Sequence, residues 1–104
     1  MANTKTLCSL DEIEPNTMKR FNINGLNIVV IRLEGDVYAM EDRCSHEDFP
    51  LSDGFISKNT ITCPMHGASF DIQSGEPLSL PAYEAVETFP VRINNRQIEI
   101  DISG

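Results

Sequence analysis

Two cysteine-histidine pairs lie near the middle of the chain, and together they contain both of its histidines. The first pair, Cys44 and His46, has the spacing C-x-H, and the second pair, Cys63 and His66, has the spacing C-x-x-H. Sixteen residues separate His46 from Cys63. Thiolate and imidazole groups are good metal ligands, and a chance grouping would rarely place every histidine so close to a cysteine. The sequence therefore predicts a metal site made of these four residues.

Two kinds of metal centre accept two thiolates and two imidazoles. Structural zinc sites usually pair Cys with Cys and His with His along the chain, whereas here each pair contains one of each. A [2Fe-2S] cluster explains the mixed pairs, because the cysteine of each pair could bind one iron and the histidine the other. The spacing favours the cluster, and a structural zinc-binding module is the alternative.

The third cysteine, Cys8, has no possible co-ligand near it in the sequence, so we expect a packed thiol with no part in the site. Three cysteines are an odd number, unlike the even set of a disulfide framework. No secretory signal is visible, and the longest apolar stretch, LNIVVI, is far shorter than the ~20 residues that cross a bilayer. We therefore expect a cytoplasmic protein without a membrane span.

The charge balance bears on the partners. Sixteen acidic residues against eight basic residues give a formal net charge of -8. This balance argues against nucleic acid or an anionic membrane as a partner. A protein partner with a basic face fits better.

The segments that must position the metal site alternate between apolar and polar residues, as β-strands do. A chain of 104 residues is expected to form one domain, residues 1–104, and the pattern predicts an all-β fold. Strands are predicted over 18–23, 26–33 and 36–41, and Asn24-Gly25 suits a tight hairpin turn between the first two. The only candidate for a helix is a single turn capped by Ser9.

A second hairpin is predicted near the end of the chain, with a turn at Asn94-Asn95-Arg96. Its alternating apolar residues predict one buried face, formed by Val91, Ile93, Ile98, Ile100 and Ile102. Short strands over 60–63 and 68–72 bracket the second cysteine-histidine pair. Both pairs are thus predicted to lie on loops between strands, where they can share one site.

The segments CSHEDFPLSDG, CPMHGASFD, SGEP and LPAYE together resemble the small Rieske-type ferredoxins of bacterial multicomponent aromatic-ring dioxygenase systems. The resemblance covers nearly the whole chain. It implies a Rieske-type β sandwich with a cluster-binding subdomain of two ligand loops, about residues 42–82. It also implies one Rieske-type [2Fe-2S] cluster per chain, with Cys44 and Cys63 on the inner iron and His46 and His66 on the outer iron.

The function implied by the resemblance is one-electron transfer from a flavin-dependent reductase to a terminal aromatic-ring dioxygenase. The carrier is expected to be a monomer. It is not expected to be an enzyme by itself, because no histidine remains for a mononuclear iron and no G-x-G-x-x-G motif is present. An alternative within the same family is a small Rieske subunit of a reductase such as a nitrite reductase.

Four positions depart from the respiratory branch of the family that the chain resembles. Phe49 and Met65 stand where that branch has two further cysteines joined in a disulfide, so no such bond is expected. Ala68 and Phe70 stand where that branch has hydroxyl groups that hydrogen-bond to cluster sulfur. With fewer hydrogen-bond donors to cluster sulfur, the reduced cluster is stabilised less. We therefore expect a reduction potential toward the low end of the Rieske range.

The remaining loop residues have simpler expected roles. Gly54 and Gly67 are expected to serve backbone conformation. Phe49, Pro50 and Met65 are expected to form an apolar collar around the histidines, where a redox partner could dock.

Overall fold

The computed structural model describes residues 4–43, 50–64, 67–78 and 85–102. These ranges contain ten β-strands in three antiparallel sheets and no α-helix, so the predicted all-β fold is confirmed. The strands are β1 (Thr4–Ser9), β2 (Thr17–Ile23), β3 (Leu26–Leu33), β4 (Asp36–Glu41), β5 (Phe55–Ser57), β6 (Thr60–Thr62), β7 (Ser69–Asp71), β8 (Thr88–Phe89), β9 (Val91–Asn94) and β10 (Gln97–Asp101).

The three sheets divide the chain into a sandwich and a smaller unit. Sheet A has the strand order β1-β10-β9, and sheet B has the order β2-β3-β4-β8. Sheet C, with the order β5-β6-β7, falls within the predicted cluster-binding subdomain of about residues 42–82. The boundaries of that subdomain stay a prediction.

Both predicted hairpins form, with two-residue turns whose residues have positive φ. Asn24 and Gly25, with φ of 53° and 88°, connect β2 to β3 as the Asn-Gly dipeptide predicts. In the second hairpin, Asn94 pairs with Gln97, so only Asn95 and Arg96 form the turn and the predicted three-residue turn is one residue too long.

Strand β3 is buried on both faces. Ile28, Val29, Val30 and Ile31 are all fully buried, because sheet B lies between two separate apolar cores. The core on the side of sheet C contains Val29 and Ile31 together with Met40, Leu51, Ile61, Cys63, Ala68, Phe70, Ile72 and Val86. The core on the side of sheet A contains Ile28 and Val30 together with Cys8, Ile13, Ala39, Ile98 and Ile100. A continuous apolar run is typical of a strand covered on both sides.

The buried face predicted for the second hairpin is only partly formed. Ile98 and Ile100 on β10 are fully buried, whereas Ile93 on β9 is 41% exposed. The reason is position, since β9 is the edge strand of sheet A and Ile93 lies beside the turn.

Two single 3₁₀ turns complete the described structure. The first, Leu10–Glu12, is the predicted turn capped by Ser9, whose Oγ accepts from the Asp11 N–H at 3.3 Å. Glu12 accepts in return from the Ser9 N–H at 3.0 Å, which completes a capping box. The second turn, Leu51–Asp53, was not predicted. Within the described ranges, no helical segment has the length and apolar character needed to span a membrane.

Candidate metal centre

Of the four predicted ligands, the structure describes Cys63. This residue directly follows β6 and is fully buried in the core between sheets B and C. Cys44, His46 and His66 lie outside the described residues. The four-residue ligand set therefore stays a prediction.

A backbone hydrogen bond closes the base of the second predicted ligand loop, residues 63–68. The Cys63 N–H donates to the Ala68 carbonyl at 2.7 Å, and the flanking residues Thr62 and Ser69 pair across β6 and β7. Gly67 has a φ of 70°, and a Cβ added there would meet no atom within 4 Å. Backbone conformation, rather than lack of space, is therefore what glycine provides in this loop.

Gly54 is needed for space. A Cβ added there would lie only 1.8 Å from the Thr62 carbonyl oxygen. Glycine is required here because the backbone after the 3₁₀ turn passes directly against β6. This close approach joins the segment after the first cysteine-histidine pair to the strand before the second.

The surroundings of Cys63 are apolar. Ala68 and Phe70, the two positions without hydroxyl groups, are fully buried in the same core as the Cys63 sulfur. A thiolate at the end of a strand, on a dry apolar wall, suits the buried iron of a two-iron cluster, because solvent has no access to it. The residues present therefore fit the predicted cofactor at this position.

The residues just before and after the first pair are joined through a buried carboxylate. Asp42 comes directly after β4 and two residues before Cys44, and its side chain is only 1% exposed. It accepts from the Ser52 N–H at 2.7 Å and from the Ser52 hydroxyl at 2.6 Å. The Arg20 guanidinium lies 2.9 Å from the Asp42 carboxylate.

Arg20 extends this network to the second 3₁₀ turn. Its Nε donates to Ser52 Oγ at 2.8 Å, and its Nη2 donates to Asp53 Oδ1 at 3.1 Å. We call Arg20, Asp42, Ser52 and Asp53 the Asp42 network. It ties β2, the end of β4 and the 3₁₀ turn together, and so it fixes the chain on both sides of residues 44–49.

The Asp42 network is not among the features predicted from the sequence. A usable signal was present, because an aspartate stands between the end of a predicted strand and a predicted ligand. Its partners could not be found from the sequence, because Arg20 lies on β2, which is separated from β4 by β3 in sheet B, and Ser52 lies in the 3₁₀ turn that was not predicted.

Cys8 belongs to the other core, on the side of sheet A. Burial, followed by the nearby negative charge of Glu12, raises the pKa of its thiol. Neither Cys8 nor Cys63 forms a disulfide within the described ranges. The predicted role of Cys8 as a packed thiol agrees with this placement.

A family model described as the Rieske [2Fe-2S] domain matches residues 3–90. The chain belongs to the Rieske [2Fe-2S] domain family. This match confirms both the predicted family and the predicted cofactor, a Rieske-type [2Fe-2S] cluster. It also gives no support to the structural zinc module.

Two ferredoxins match this chain over nearly their full length. The ferredoxin component of the biphenyl 2,3-dioxygenase of Rhodococcus jostii (strain RHA1) is 34% identical over 104 residues, which are 100% of this chain and 96% of that protein. The ferredoxin of the carbazole 1,9a-dioxygenase from Nocardioides aromaticivorans IC177 superposes with a TM-score of 0.90 and 28% identity, covering 93% of this chain and 95% of that one.

A further solved structure contains a ferredoxin together with its partner. It is a complex of reduced oxygenase and oxidized ferredoxin in carbazole 1,9a-dioxygenase, and one of its chains matches with a TM-score of 0.92 and 28% identity. The match covers 97% of this chain and 94% of that one. The predicted Rieske-type β sandwich is therefore confirmed.

Proposed function

We propose that this Rieske protein is a one-electron carrier between a flavin-dependent reductase and a terminal aromatic-ring dioxygenase. The observation that carries the proposal is the match over nearly the full length of both chains to a ferredoxin component of an aromatic-ring dioxygenase. The complex of ferredoxin and oxygenase in a relative of the same fold supports the oxygenase as the electron acceptor. The reductase, the monomeric state and the cytoplasmic location are further parts of the proposal.

The proposed ligands are Cys44 and Cys63 for the inner iron and His46 and His66 for the outer iron. When bound, the cluster supplies a centre that accepts and releases one electron. The burial of Cys63 supports its place on the inner iron, since it keeps solvent from that side. In this proposal the two imidazoles lie toward the partner, and the electron enters and leaves on their side.

The chain's own residues have two tasks in this function. The core around Cys63 excludes water from the inner side of the site. The Asp42 network and the hydrogen bond between Cys63 and Ala68 hold the bases of the two ligand loops, so that four side chains from separate segments can meet. We propose that the whole chain, 1–104, forms one domain, in which residues 42–82 make up the cluster-binding subdomain.

The ligand assignment is tested by three single variants. His46→Ala and His66→Ala should each lose or convert the cluster, whereas Cys8→Ser should keep it, because Cys8 packs in the other core. Iron and acid-labile sulfide assays, with electron paramagnetic resonance spectra of the dithionite-reduced proteins, measure the result. A normal cluster in either histidine variant, or its loss from Cys8→Ser, would contradict the assignment.

The carrier function is tested by reconstituting electron transfer. The dithionite-reduced protein should be reoxidised in a single phase when it is mixed, without oxygen, with the terminal oxygenase encoded in the same genome. Tight co-purification with a large reductase subunit, and no reoxidation by any oxygenase, would instead support the small subunit of a reductase.

A further inference from the structure

Two exposed apolar side chains lie on the outer face of sheet C. Within the described ranges, three large apolar side chains are strongly exposed: Phe55 at 58%, Leu78 at 54% and Ile93 at 41%. Phe55 begins β5, and Leu78 follows β7 on the next segment of chain, whereas Ile93 lies on sheet A. Isolated exposed apolar residues are common in soluble proteins, so the arrangement of Phe55 and Leu78 is what needs explanation.

Strand pairing places these two residues at opposite ends of one row. Phe55 pairs with Thr62, and Thr62 pairs with Ser69. The Leu78 N–H donates to the Ser69 carbonyl at 2.7 Å, which adds Leu78 beside Ser69. Cross-strand partners point to the same face of a sheet, so these four side chains line up on the outer face. We call Phe55, Thr62, Ser69 and Leu78 the outer row.

The residues next to the outer row along each strand point the other way. Ile56 is half-buried, and Ile61 and Phe70 are fully buried against the core between sheets B and C. The alternation shows that Phe55 is not a displaced core residue, because its neighbour Ile56 supplies the core contact of that strand.

The middle of the outer row is polar but internally hydrogen-bonded. Thr62 Oγ1 and Ser69 Oγ lie 3.1 Å apart. Because these hydroxyls bond to each other, an apolar partner surface could cover them without leaving both unsatisfied. The row therefore has large apolar ends and an uncharged centre, and the lack of charge is typical of an interface core.

The outer row lies at the end of sheet C that leads into the predicted cluster site. Thr62 immediately precedes Cys63, and Ser69 immediately follows Ala68 at the base of the second predicted ligand loop. A protein that covers this row is therefore held beside the segment in which electron exchange is proposed.

Acidic residues border the outer row. Asp53, whose side chain is 54% exposed and forms an ion pair with Arg20, lies two residues before Phe55. Asp71 and Glu76 lie in the next row of the sheet, where the Asp71 N–H donates to the Glu76 carbonyl at 2.8 Å. With a net charge of -8, this side of the molecule suits a partner that has an apolar centre and a basic rim.

We propose that the outer row is the docking surface for the terminal oxygenase. The inference rests on the proposed function. The oxygenase is favoured as the occupant because a ferredoxin relative with a TM-score of 0.92 forms a complex with an oxygenase. A docked oxygenase would place basic groups opposite the acidic residues that border the row.

The test compares three serine variants that remove exposed apolar side chains. Phe55→Ser and Leu78→Ser disrupt the outer row, and Ile93→Ser is the matched control from sheet A. Each reduced protein is mixed without oxygen with the terminal oxygenase encoded in the same genome, and the reoxidation rate is followed over a range of oxygenase concentrations. Each outer-row variant should raise the half-saturating concentration by about fivefold or more and leave the limiting rate nearly unchanged.

The control should keep the wild-type half-saturating concentration. The visible and electron paramagnetic resonance spectra of all three variants should match the wild type, because the replaced side chains are exposed. The inference would be overturned if the wild type and both outer-row variants had the same half-saturating concentration of oxygenase. It would also be overturned if the variants changed only the reduction of the protein by the flavin-dependent reductase. An outer-row variant with a changed spectrum and a lower limiting rate would indicate a structural role and would also overturn it.

Self-association is the competing occupant. Sedimentation velocity should show a wild-type monomer over about a hundredfold range of concentration. A wild-type dimer that Phe55→Ser abolishes would mean that a second copy covers the row. If the wild type itself fails to reduce any terminal oxygenase, the proposed function fails, and this outcome is distinct from failure of the docking inference alone.

Discussion

Asp42 is a nearly fully buried carboxylate, and such a group is stable only when its oxygens have partners. Three hydrogen-bond or ion-pair partners surround it, on Arg20 and on the backbone and side chain of Ser52. The Asp42 side chain is 1% exposed whereas that of Arg20 is 48% exposed, so losing a partner is costly for Asp42, whose charge would stay desolvated. Asp42 therefore connects β2 and the second 3₁₀ turn to the segment just before the first cysteine-histidine pair.

Asp42→Asn should lower the free energy of unfolding by about 1–3 kcal/mol, because the amide nitrogen of Asn would face groups that donate hydrogen bonds. The same variant should lose its cluster faster during storage in air, since the chain before Cys44 loses its side-chain contacts with Ser52 and Arg20. Urea unfolding and the decay of visible absorbance measure these effects. Asp53→Asn is the control, because the Asp53 side chain is 54% exposed and its ion pair is expected to contribute little. Equal losses in the two variants would contradict the special role of Asp42.

Ala68 and Phe70 bear on the reduction potential. Rieske centres span about -150 to +300 mV, and we expect this one near the lower end. A hydroxyl that donates to cluster sulfur should favour the reduced state by about 1–2 kcal/mol, which is roughly 40–90 mV for one electron. Ala68→Ser and Phe70→Tyr should therefore each raise the potential measured by voltammetry. Both positions are fully buried, so intact visible spectra are needed as a control for folding. Unchanged potentials with intact clusters would show that solvent exposure or backbone amides set the value.

The strands and turns that could be predicted are those that depend on local sequence. The Asn24-Gly25 turn, the long strands β2, β3 and β4, and the Ser9 cap all follow from nearby residues. The strands that were missed, β1, β5 and β8, lack such signals. Strands β5 and β8 have only three and two residues, and β1 pairs with β10 from the other end of the chain.

The candidate site divides in the same way. Spacing and residue type identify the cysteine-histidine pairs without any structure. The Asp42 network and the outer row could not be predicted, because each depends on which strands become neighbours and in what register. Phe55 is an example. In the sequence it is one of two adjacent apolar residues, Phe55 and Ile56, and nothing there tells which of them is exposed. The pairing of Phe55 with Thr62 in sheet C shows that Phe55 lies on the outer face.

Gly54 joins two elements through a close approach of their backbones. Gly54→Ala should lower the free energy of unfolding by about 2–4 kcal/mol, because a Cβ would lie 1.8 Å from the Thr62 carbonyl oxygen and the backbone must shift. Gly35→Ala is the matched control, since a Cβ there meets nothing within 4 Å and its backbone is not left-handed. Thermal or urea unfolding of both variants checks the difference. Similar stability in the two variants would contradict the close approach.

The contact between the first 3₁₀ turn and the second hairpin gives a pH dependence. Hydrogen bonding from Arg96 lowers the pKa of Asp11, and hydrogen bonding from the Ser9 N–H lowers the pKa of Glu12. A carboxylate with a lowered folded-state pKa stabilises the fold above its unfolded pKa, and this contribution is lost as the pH falls. Asp11→Asn should therefore flatten the decline in stability below about pH 5.

Arg96→Gln should flatten the same acidic decline, because it removes the group that lowers the pKa of Asp11. Urea unfolding at several pH values measures both variants. The effect should be small, since both side chains of this ion pair are mostly exposed. An acidic decline as steep as that of the wild type in both variants would show that other carboxylates control it.

The net charge of -8 is expected to steer the protein toward basic partners. Reduction by the proposed flavin-dependent reductase should slow as ionic strength rises, because the screening length shortens to about 10 Å at 0.1 M salt. Stopped-flow rates between about 0.02 and 0.5 M salt test this, with a small neutral reductant as the control. Rates that do not change with salt would indicate that apolar contacts control the encounter.

The burial of β3 on both faces has a consequence for how the protein can change over evolution. Val29 and Ile31 face the half that contains Cys63, whereas Ile28 and Val30 face the half that contains Cys8. Alternate positions of one strand are therefore exposed to separate selection pressures. Substitutions at Val29 or Ile31 can alter the packing around the redox site while the opposite half keeps its own contacts, so a lineage can adjust the electron carrier without rebuilding its scaffold.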